Sequence, residues 1–255
     1  MNDAVLFDAR ADGIVVITLN RPETRNCLDA DVRAGLYAAW DRFERDPTLR
    51  VAVLTGAGDK AFCAGGDLKE MVDTGMRVPP PEMFPLPYDT VELSKPTIAA
   101  VNGAAFAGGW MIAQACDLCV ASTAATFAIT EVKVGRSSPW AAPLIHMIPQ
   151  RIMMELLLTG APITARRAYE VGLVNRLAEP GAVLTAALEL AAEILRGAPL
   201  SVRAARDTVM LATEMGRSDA LRAARTAAVE CYDSADAQEG PRAFAEKRTP
   251  IWLGR

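Results

Sequence analysis

Two glycine-rich segments carry the residue types that could stabilise negative charge on an oxygen atom. They span Val51–Met71 and Thr97–Asp117, and each follows a strand-like run. Glycine lets backbone N–H groups at a helix start face a ligand, because those donors have no partner within the helix. Two such turns from adjacent strands could direct two amides at one oxygen, which is an oxyanion hole. The alternative for each segment alone is an ordinary tight turn. Neither segment fits a nucleotide-binding glycine pattern.

A glutamate in apolar surroundings could transfer protons near neutral pH. The apolar neighbours of Glu131 in the sequence are Phe127, Ile129, Val132 and Val134. Such surroundings disfavour the charged carboxylate and raise its pKa, so that the group can act as a general base or acid. The alternative, which periodicity alone favours, is a surface glutamate on the polar side of a strand, paired with Lys133.

The cysteines and the single histidine do not indicate a metal or redox site. Cys116 and Cys119 form a C-x-x-C, but a zinc site would need a second ligand pair, and His146 has no partner at ligand spacing. A redox pair is expected at a helix start after a strand, whereas this pair precedes a strand-like run. We expect two small core residues and no metal. A Ser-His pair using His146 is disfavoured because the chain has no G-x-S-x-G motif.

The elements that must position these residues alternate between strands and helices, which indicates a layered α/β fold. The predicted strands are Ile14–Leu19, Val51–Thr55, Thr97–Val101 and Leu118–Ala121. A helix is predicted over Asp29–Phe43, with Asp29 or Asp31 as its cap. The proline-dense segment Arg77–Asp89 cannot hold a regular helix or a central strand. It is predicted to be an exposed loop, either a simple connection or a lid.

The chain becomes helical and alanine-rich from about Ile148. The predicted helices are Thr164–Glu170, Val183–Arg196, Leu200–Glu214 and Ser218–Tyr232. We expect an α/β core over residues 1–195 and a C-terminal helical region over residues 196–255. Terminal helices of this kind often pack on another copy, so an oligomer is expected.

Length, charge and hydropathy exclude several classes of protein. The 255 residues include 27 Lys plus Arg against 31 Asp plus Glu, for a net charge of -4. Without clustered positive charge, binding to nucleic acid is not expected. The apolar stretches fall short of the roughly 20 residues that span a bilayer, so no membrane contact is expected. The N-terminus lacks a basic region followed by an apolar block, and a cytoplasmic location is expected.

A series of motifs occurs between about Gly13 and Arg248: VVITLNRPETRNCLD, FCAGGDLKEM, KPTIAAVNGAAFAGG, CDLCVAS, EVKVG, LLLTGAPITARRAYEVGLVN and FAEKR. Their combination and order resemble the crotonase superfamily of enoyl-CoA hydratases and isomerases. The resemblance implies a crotonase-like spiral of repeated ββα units, with a C-terminal helical part that builds a homotrimer or homohexamer. It implies an acyl-CoA or enoyl-CoA substrate. No separate cofactor is implied, since coenzyme A enters as part of the substrate.

The resemblance also assigns roles to individual residues. Gly66 and Gly108 match the two positions whose N–H groups donate to the thioester oxygen, and Glu131 matches a catalytic glutamate. The residues that match coenzyme A contacts are Arg25, Cys27, Ala64, Asp67, Leu68 and Lys247, with Lys69 as a weaker candidate for phosphate. Among these, Ala64, Asp67 and Leu68 match the part that holds the adenine end, and Lys247 matches a residue that reaches a CoA phosphate.

One departure from the family pattern bears on the reaction. Hydratases of the family use a second glutamate, and Met111 occupies its position here. A single base suffices for double-bond isomerisation, which this departure favours slightly. Hydration is the alternative, with water held by Glu131 together with Arg136, Ser137 or Ser138. Trp110, Met111 and Arg136 are candidates for the acyl pocket; for Trp110 and Met111 the alternative is plain helix packing.

Other reaction classes stay open from the sequence. Arg136 and its neighbouring serines could serve a CoA-thioester hydrolase or a decarboxylase. The missing glutamate also leaves open a homologue without catalytic activity that binds CoA esters or RNA, although the acidic composition argues against RNA.

Overall fold

Short apolar runs form the strands of the computed structural model, which describes residues 3–255. In chain order the strands are β1 (Val5–Ala9), β2 (Ile14–Leu19), β3 (Val51–Gly56), β4 (Ala61–Cys63), β5 (Thr97–Val101), β6 (Ala104–Phe106), β7 (Leu118–Ser122), β8 (Thr126–Ala128), β9 (Ile163–Thr164) and β10 (Arg176–Ala178). Every residue of β3 and β5 is buried. Continuous burial of this kind is typical of parallel strands that are covered on both faces.

The strands form two sheets. The larger sheet has the order β1-β2-β3-β5-β7-β10, and the smaller has the order β4-β6-β8-β9. Consecutive strands alternate between the two sheets. Strands β3, β5 and β7 lie in the larger sheet, while β4, β6 and β8 lie side by side and parallel in the smaller sheet. This alternation is the repeated ββα pattern, and the expected α/β fold class is confirmed.

Ten helices accompany the strands in the described part of the chain. They are α1 (Ala30–Arg45), α2 (Leu68–Thr74), α3 (Gly108–Gln114), α4 (Gln150–Thr159), α5 (Ala165–Glu170), α6 (Val183–Leu195), α7 (Pro199–Glu214), α8 (Arg217–Ala227), α9 (Val229–Asp233) and α10 (Ala235–Glu246). The buried face of α1 carries Trp40 and Phe43, whose rings pack edge to face in the core. Asp29 caps α1, since its side chain accepts a hydrogen bond from the N–H of Val32 at 3.0 Å.

The chain divides into two compact units. One contains the residues up to Leu93 together with Thr97–Ala191, and the other contains Ser94–Pro96 and Ala192–Arg255. Inside the second unit, the buried carboxylate of Asp236 accepts hydrogen bonds from the N–H groups of Leu253 and Gly254 at 2.7 and 2.9 Å. These bonds hold the C-terminal segment against α10.

The C-terminal unit also exposes large apolar side chains, among them Tyr232, Phe244 and Ile251. Oligomerisation through this unit stays a prediction. Among residues 3–255, no helix combines the length and the hydropathy needed to cross a lipid bilayer.

Several boundaries agree with the sequence-based expectations and others need correction. β2 and β5 have the predicted bounds. The helix predicted over Ser218–Tyr232 is wrong as a single element, because it breaks at Ala228 into α8 and α9. The exposed loop predicted over Arg77–Asp89 is also partly wrong: it holds a 3-10 turn, and its residues 85–87 are buried. The hydroxyl of Tyr37 donates to the carbonyl of Glu82 at 2.7 Å, which ties this segment to α1.

The cap of α1 can be tested with a matched pair of substitutions. Asp29→Ala removes the acceptor for the Val32 N–H and the ion pair with Arg21, and should lower the free energy of unfolding by about 1 kcal/mol or more. Asp29→Asn keeps a capping oxygen and should lose less. Urea denaturation of both variants measures the difference. Equal losses would mean that the ion pair, not the cap, carries the effect.

Candidate active site

Three neighbouring parallel strands of the smaller sheet end at the candidate catalytic residues. Gly66 follows β4, Gly108 follows β6 and Glu131 follows β8. The register pairs Cys63 with Ala105 across β4 and β6. The carboxyl ends of parallel neighbours meet at one edge of a sheet, so the topology brings these three positions to the same edge.

The two glycine turns lie against each other. A β-carbon built on Gly108 would lie 3.4 Å from the nitrogen of Gly66, and one built on Gly65 would lie 3.3 Å from the nitrogen of Gly108. Gly65 has a φ of +103°, a conformation that side chains rarely adopt. Glycine at these positions therefore allows the two turns to approach closely.

Close contact with β4 fixes the start of α3. A β-carbon on Gly109 would lie only 2.0 Å from the carbonyl oxygen of Cys63, so no other residue fits without moving the backbone. Ala107, just before the helix, has a φ of +49°. Its N–H donates to the carbonyl of Ala128 at 2.8 Å, which joins the end of β6 to the end of β8.

The amides of Gly66 and Gly108 are available as donors. Gly108 is the first residue of α3, where N–H groups have no partner within the helix. Across residues 3–255, neither amide donates a hydrogen bond to the chain. Because the two turns lie against each other and both N–H groups are free, the pair is suited to binding one carbonyl oxygen on which negative charge develops.

Glu131 is the first residue of a 3-10 turn, Glu131–Val134, that follows β8. Its side chain is half-buried, and the indole N–H of Trp140 donates to its Oε1 at 3.0 Å. Within the described chain its Oε2 is buried and has no hydrogen-bond partner. Burial raises the pKa of the carboxyl, and neighbouring backbone N–H groups and the hydrogen bond from Trp140 oppose that rise.

The two interpretations of Glu131 can now be separated. The alternative of a surface glutamate on the polar side of a strand is wrong, because Glu131 lies beyond β8 and its pKa is raised by burial. Lys133 is exposed.

Helix α3 buries Met111, which occupies the position of the missing glutamate, and Trp110, which precedes it. Trp110 packs edge to face on Phe127 at 5.6 Å between ring centroids, so it takes part in helix packing as the alternative proposed. Met111 is also buried in the apolar core. Its N–H donates to the carbonyl of Ala107 at 3.0 Å. A thioether at this position cannot take a proton, so α3 supplies no second carboxylate.

Four of the candidate coenzyme A contacts lie together. The N–H of Ala64 donates to the carbonyl of Arg25 at 3.0 Å, and the thiol of Cys27 approaches Asp67 Oδ2 at 3.6 Å. Asp67 also caps α2 by accepting from the N–H of Lys69 at 2.8 Å, and this bond lowers the pKa of its carboxyl. The structure therefore gives Asp67 a structural task in addition to the role that the resemblance implies.

The other candidate residues are placed as follows. Leu68 and Lys69 are exposed on the first turn of α2. The guanidinium of Arg136 donates to the carbonyl of Met76 at 2.9 Å, which ties the segment after α2 to the Glu131 turn. Ser137 is exposed and Ser138 is half-buried. Lys247 lies at the end of α10 in the C-terminal unit, exposed and with a φ of +55°.

Sequence reasoning missed two residues that support the site. Asn26 is fully buried, and its amide nitrogen donates to the carbonyls of Ala57 and Ala61 at 3.0 Å each. It thereby holds the segment before α1 against β4. Trp140 is the second of these residues, as the hydrogen-bond partner of Glu131. The nine-residue separation between Trp140 and Glu131 gave no periodic signal, because the intervening turn is irregular.

The cysteine pair matches the interpretation as core residues. Cys116 and Cys119 are both buried free thiols. Burial raises the pKa of Cys119 to about 12 and raises that of Cys116 as well, which disfavours the reactive thiolate. In the part of the chain described, no group of three or more His, Cys, Asp or Glu side chains is placed to hold a metal ion.

Comparison with known proteins decides the family. The sequence model of a family described as Enoyl-CoA hydratase/isomerase matches residues 9–255. The chain belongs to this family. It is an enzyme of the crotonase superfamily that acts on CoA thioesters, and the resemblance noted in the sequence is confirmed.

Individual members of the enoyl-CoA hydratase/isomerase family are similar over nearly their whole length. The (E)-benzylidenesuccinyl-CoA hydratase of Thauera aromatica is 40% identical over 253 residues, which cover 94% of this chain and 96% of that protein. The carnitinyl-CoA dehydratase of Citrobacter koseri is 37% identical over the full length of both chains. The crystal structure of an enoyl-CoA hydratase from Mycobacterium tuberculosis has a TM-score of 0.91 at 40% identity, with all of both chains covered.

The glycine pair can be tested by adding one methyl group. Gly108→Ala places a β-carbon 3.4 Å from the Gly66 nitrogen and 3.0 Å from the side chain of Leu28, where it obstructs an oxygen bound between the amides. Turnover of an enoyl-CoA thioester should fall by about 10²-fold, comparable to removing one donor. Gly216→Ala is the control, because its β-carbon meets nothing within 4 Å. Full activity of a folded Gly108→Ala variant would contradict the assignment.

The buried carboxyl of Glu131 predicts a pH-dependent difference in stability. A raised pKa means that the folded state holds the proton more tightly than the unfolded chain, so stability falls as pH rises through the raised pKa. Glu131→Gln cannot ionise. Its free energy of unfolding should therefore increase relative to that of the wild type as the pH rises from about 4, the ordinary range of a glutamate, through the raised pKa, as measured by urea denaturation. Parallel curves would show that Glu131 is not destabilised by its surroundings.

Proposed function

We propose that the protein catalyses reversible hydration of a 2-enoyl-CoA thioester, with Glu131 as the single acid and base. The observation that carries the proposal is the buried, unpartnered Oε2 of Glu131 at the sheet edge where the amides of Gly66 and Gly108 also lie. A basic atom that the chain leaves unbonded, at the same sheet edge as two free N–H donors, is suited to proton transfer on a thioester.

One carboxylate can complete both halves of the reaction. In the first half, Glu131 takes a proton from water while the water oxygen bonds to C3 of the acyl group. The electron pair of the C2–C3 double bond then shifts to give an enolate, whose oxygen accepts hydrogen bonds from Gly66 and Gly108. In the second half, the Glu131 carboxyl returns the proton to C2. The carboxylate is regenerated, and one water has been added across the double bond.

The names of the similar proteins support hydration over isomerisation. Relatives that match almost the whole chain are named as a hydratase and as a dehydratase, and both names describe addition or removal of water. The slight preference for isomerisation in the sequence interpretation rested on Met111 alone. In this proposal the water is held by Glu131 without a second carboxylate.

Isomerisation is a second candidate because α3 buries Met111 at the position of the missing glutamate. In that reaction Glu131 would take a proton from C2 of a 3-enoyl ester and return it at C4. It requires no bound water, and the enolate would be held by the same two amides.

The two reactions can be distinguished by their products. The purified protein is incubated separately with a 2-enoyl-CoA and a 3-enoyl-CoA, and the products are followed by mass spectrometry. We expect the 2-enoyl ester to gain the mass of one water. Conversion of the 3-enoyl ester to its 2-enoyl isomer without water addition would instead identify an isomerase. Release of free CoA thiol would indicate a hydrolase, and no reaction at all would favour a binding protein.

The role of Glu131 is tested in the same assay. Glu131→Gln should abolish turnover while CoA-ester binding, measured by calorimetry, is nearly unchanged. Glu155→Gln is a matched control, because Glu155 is an exposed residue on α4. Full activity of the Glu131→Gln variant would overturn the proposed chemistry.

A further inference from the structure

We propose that Trp140 is a positioning residue for Glu131: its indole N–H holds one carboxylate oxygen, so that only the other oxygen transfers protons. The inference rests on the proposed function, in which Glu131 is the base. The indole nitrogen lies 3.0 Å from Oε1, whereas Oε2 is the atom left without a partner. An indole N–H only donates hydrogen bonds, so it cannot itself exchange a proton with the carboxylate.

The backbone of Trp140 is itself fixed. The side-chain amide of Gln114, at the end of α3, donates to the carbonyl of Trp140 at 3.1 Å. The helix whose first residue is Gly108 therefore also holds the residue that orients Glu131. This connection links the position of the amide donors to the orientation of the base.

Because the indole N–H of Trp140 is the donor, its hydrogen bond changes the pKa of Glu131 in one direction. A donor to the carboxylate stabilises the charged form, so the bond opposes the rise in pKa that burial causes. The backbone N–H groups of Glu131 and Thr130 and the side chain of Ser138 oppose the rise as well. Loss of the indole N–H should leave Glu131 protonated up to a higher pH, with Oε1 no longer held by the indole.

The charged groups around Glu131 do not provide the same restraint. On its own turn, Lys133 is exposed, and the guanidinium of Arg136 is bound to the carbonyl of Met76. The neighbouring segments contribute His146, Arg151 and Glu155, all exposed. The orientation of the carboxylate therefore depends on the Trp140 hydrogen bond more than on an ion pair.

The test compares pH profiles of kcat for four proteins. Trp140→Phe keeps an aromatic ring and removes the donor, and kcat should fall by about tenfold. The acidic limb of its profile should move to higher pH, with KM little changed. Trp140→His keeps a ring N–H and should recover part of both effects. Trp252→Phe is the control: it removes an indole donor to the carbonyl of Arg196 in the C-terminal unit and should match the wild type.

The outcomes separate this inference from the proposed function. An inactive Glu131→Gln together with a folded Trp140→Phe that keeps the wild-type kcat and acidic limb would overturn the role of Trp140 and leave Glu131 as the base. An active Glu131→Gln would overturn both. If Trp140→Phe loses kcat without any shift of the acidic limb, and Trp140→His does not recover activity, the indole is a packing residue and the inference fails. Urea denaturation establishes that each variant is folded.

Discussion

The close approach of two glycine-containing backbone turns is the constraint on which the site depends. The carbonyl of Cys63 occupies the space where a side chain on Gly109 would begin, and Gly65 adopts a conformation that favours glycine. The parallel pairing of β4 and β6 brings these turns together, and the larger sheet fixes the strands that precede them. Since paired strands and not flexible side chains set the distance between the turns, the proposed pair of donors is preorganised.

The sheet edge combines two groups that need opposite electrical surroundings. In the proposed reaction the amide pair stabilises negative charge on the thioester oxygen, whereas Glu131 acts best when its own negative charge is disfavoured. The fold provides both surroundings because the two kinds of group lie in turns that follow different strands. The amides come from turns after β4 and β6, and the carboxylate lies in an irregular turn after β8, where burial raises its pKa.

Local sequence patterns predicted those parts of the fold whose structure is determined locally. The continuous apolar runs of β2 and β5 and the cap and apolar face of α1 are visible in the chain itself. The strands β4, β6 and β8 have only three residues each, too few for periodicity to show, and they become strands by pairing with one another.

The same limit applies to the site. The glycine turns and the apolar neighbours of Glu131 could be recognised, but its contact with Trp140 depends on the path of an irregular segment. The family resemblance indicated that these separate weak motifs belong to one active site, which periodicity could not show.

The hydrogen bond between an indole and the glutamate also gives the protein an internal optical reporter. Indole emission responds to the charge and polarity of its immediate surroundings. Of the four tryptophans, Trp40 and Trp110 are enclosed in the apolar core, and Trp252 lies in the C-terminal unit. Within residues 3–255, Trp140 is the tryptophan whose indole is bonded to an ionisable side chain. Ionisation of Glu131, or a ligand bound next to it, should therefore change the contribution of Trp140 to the fluorescence of the protein, without any added label.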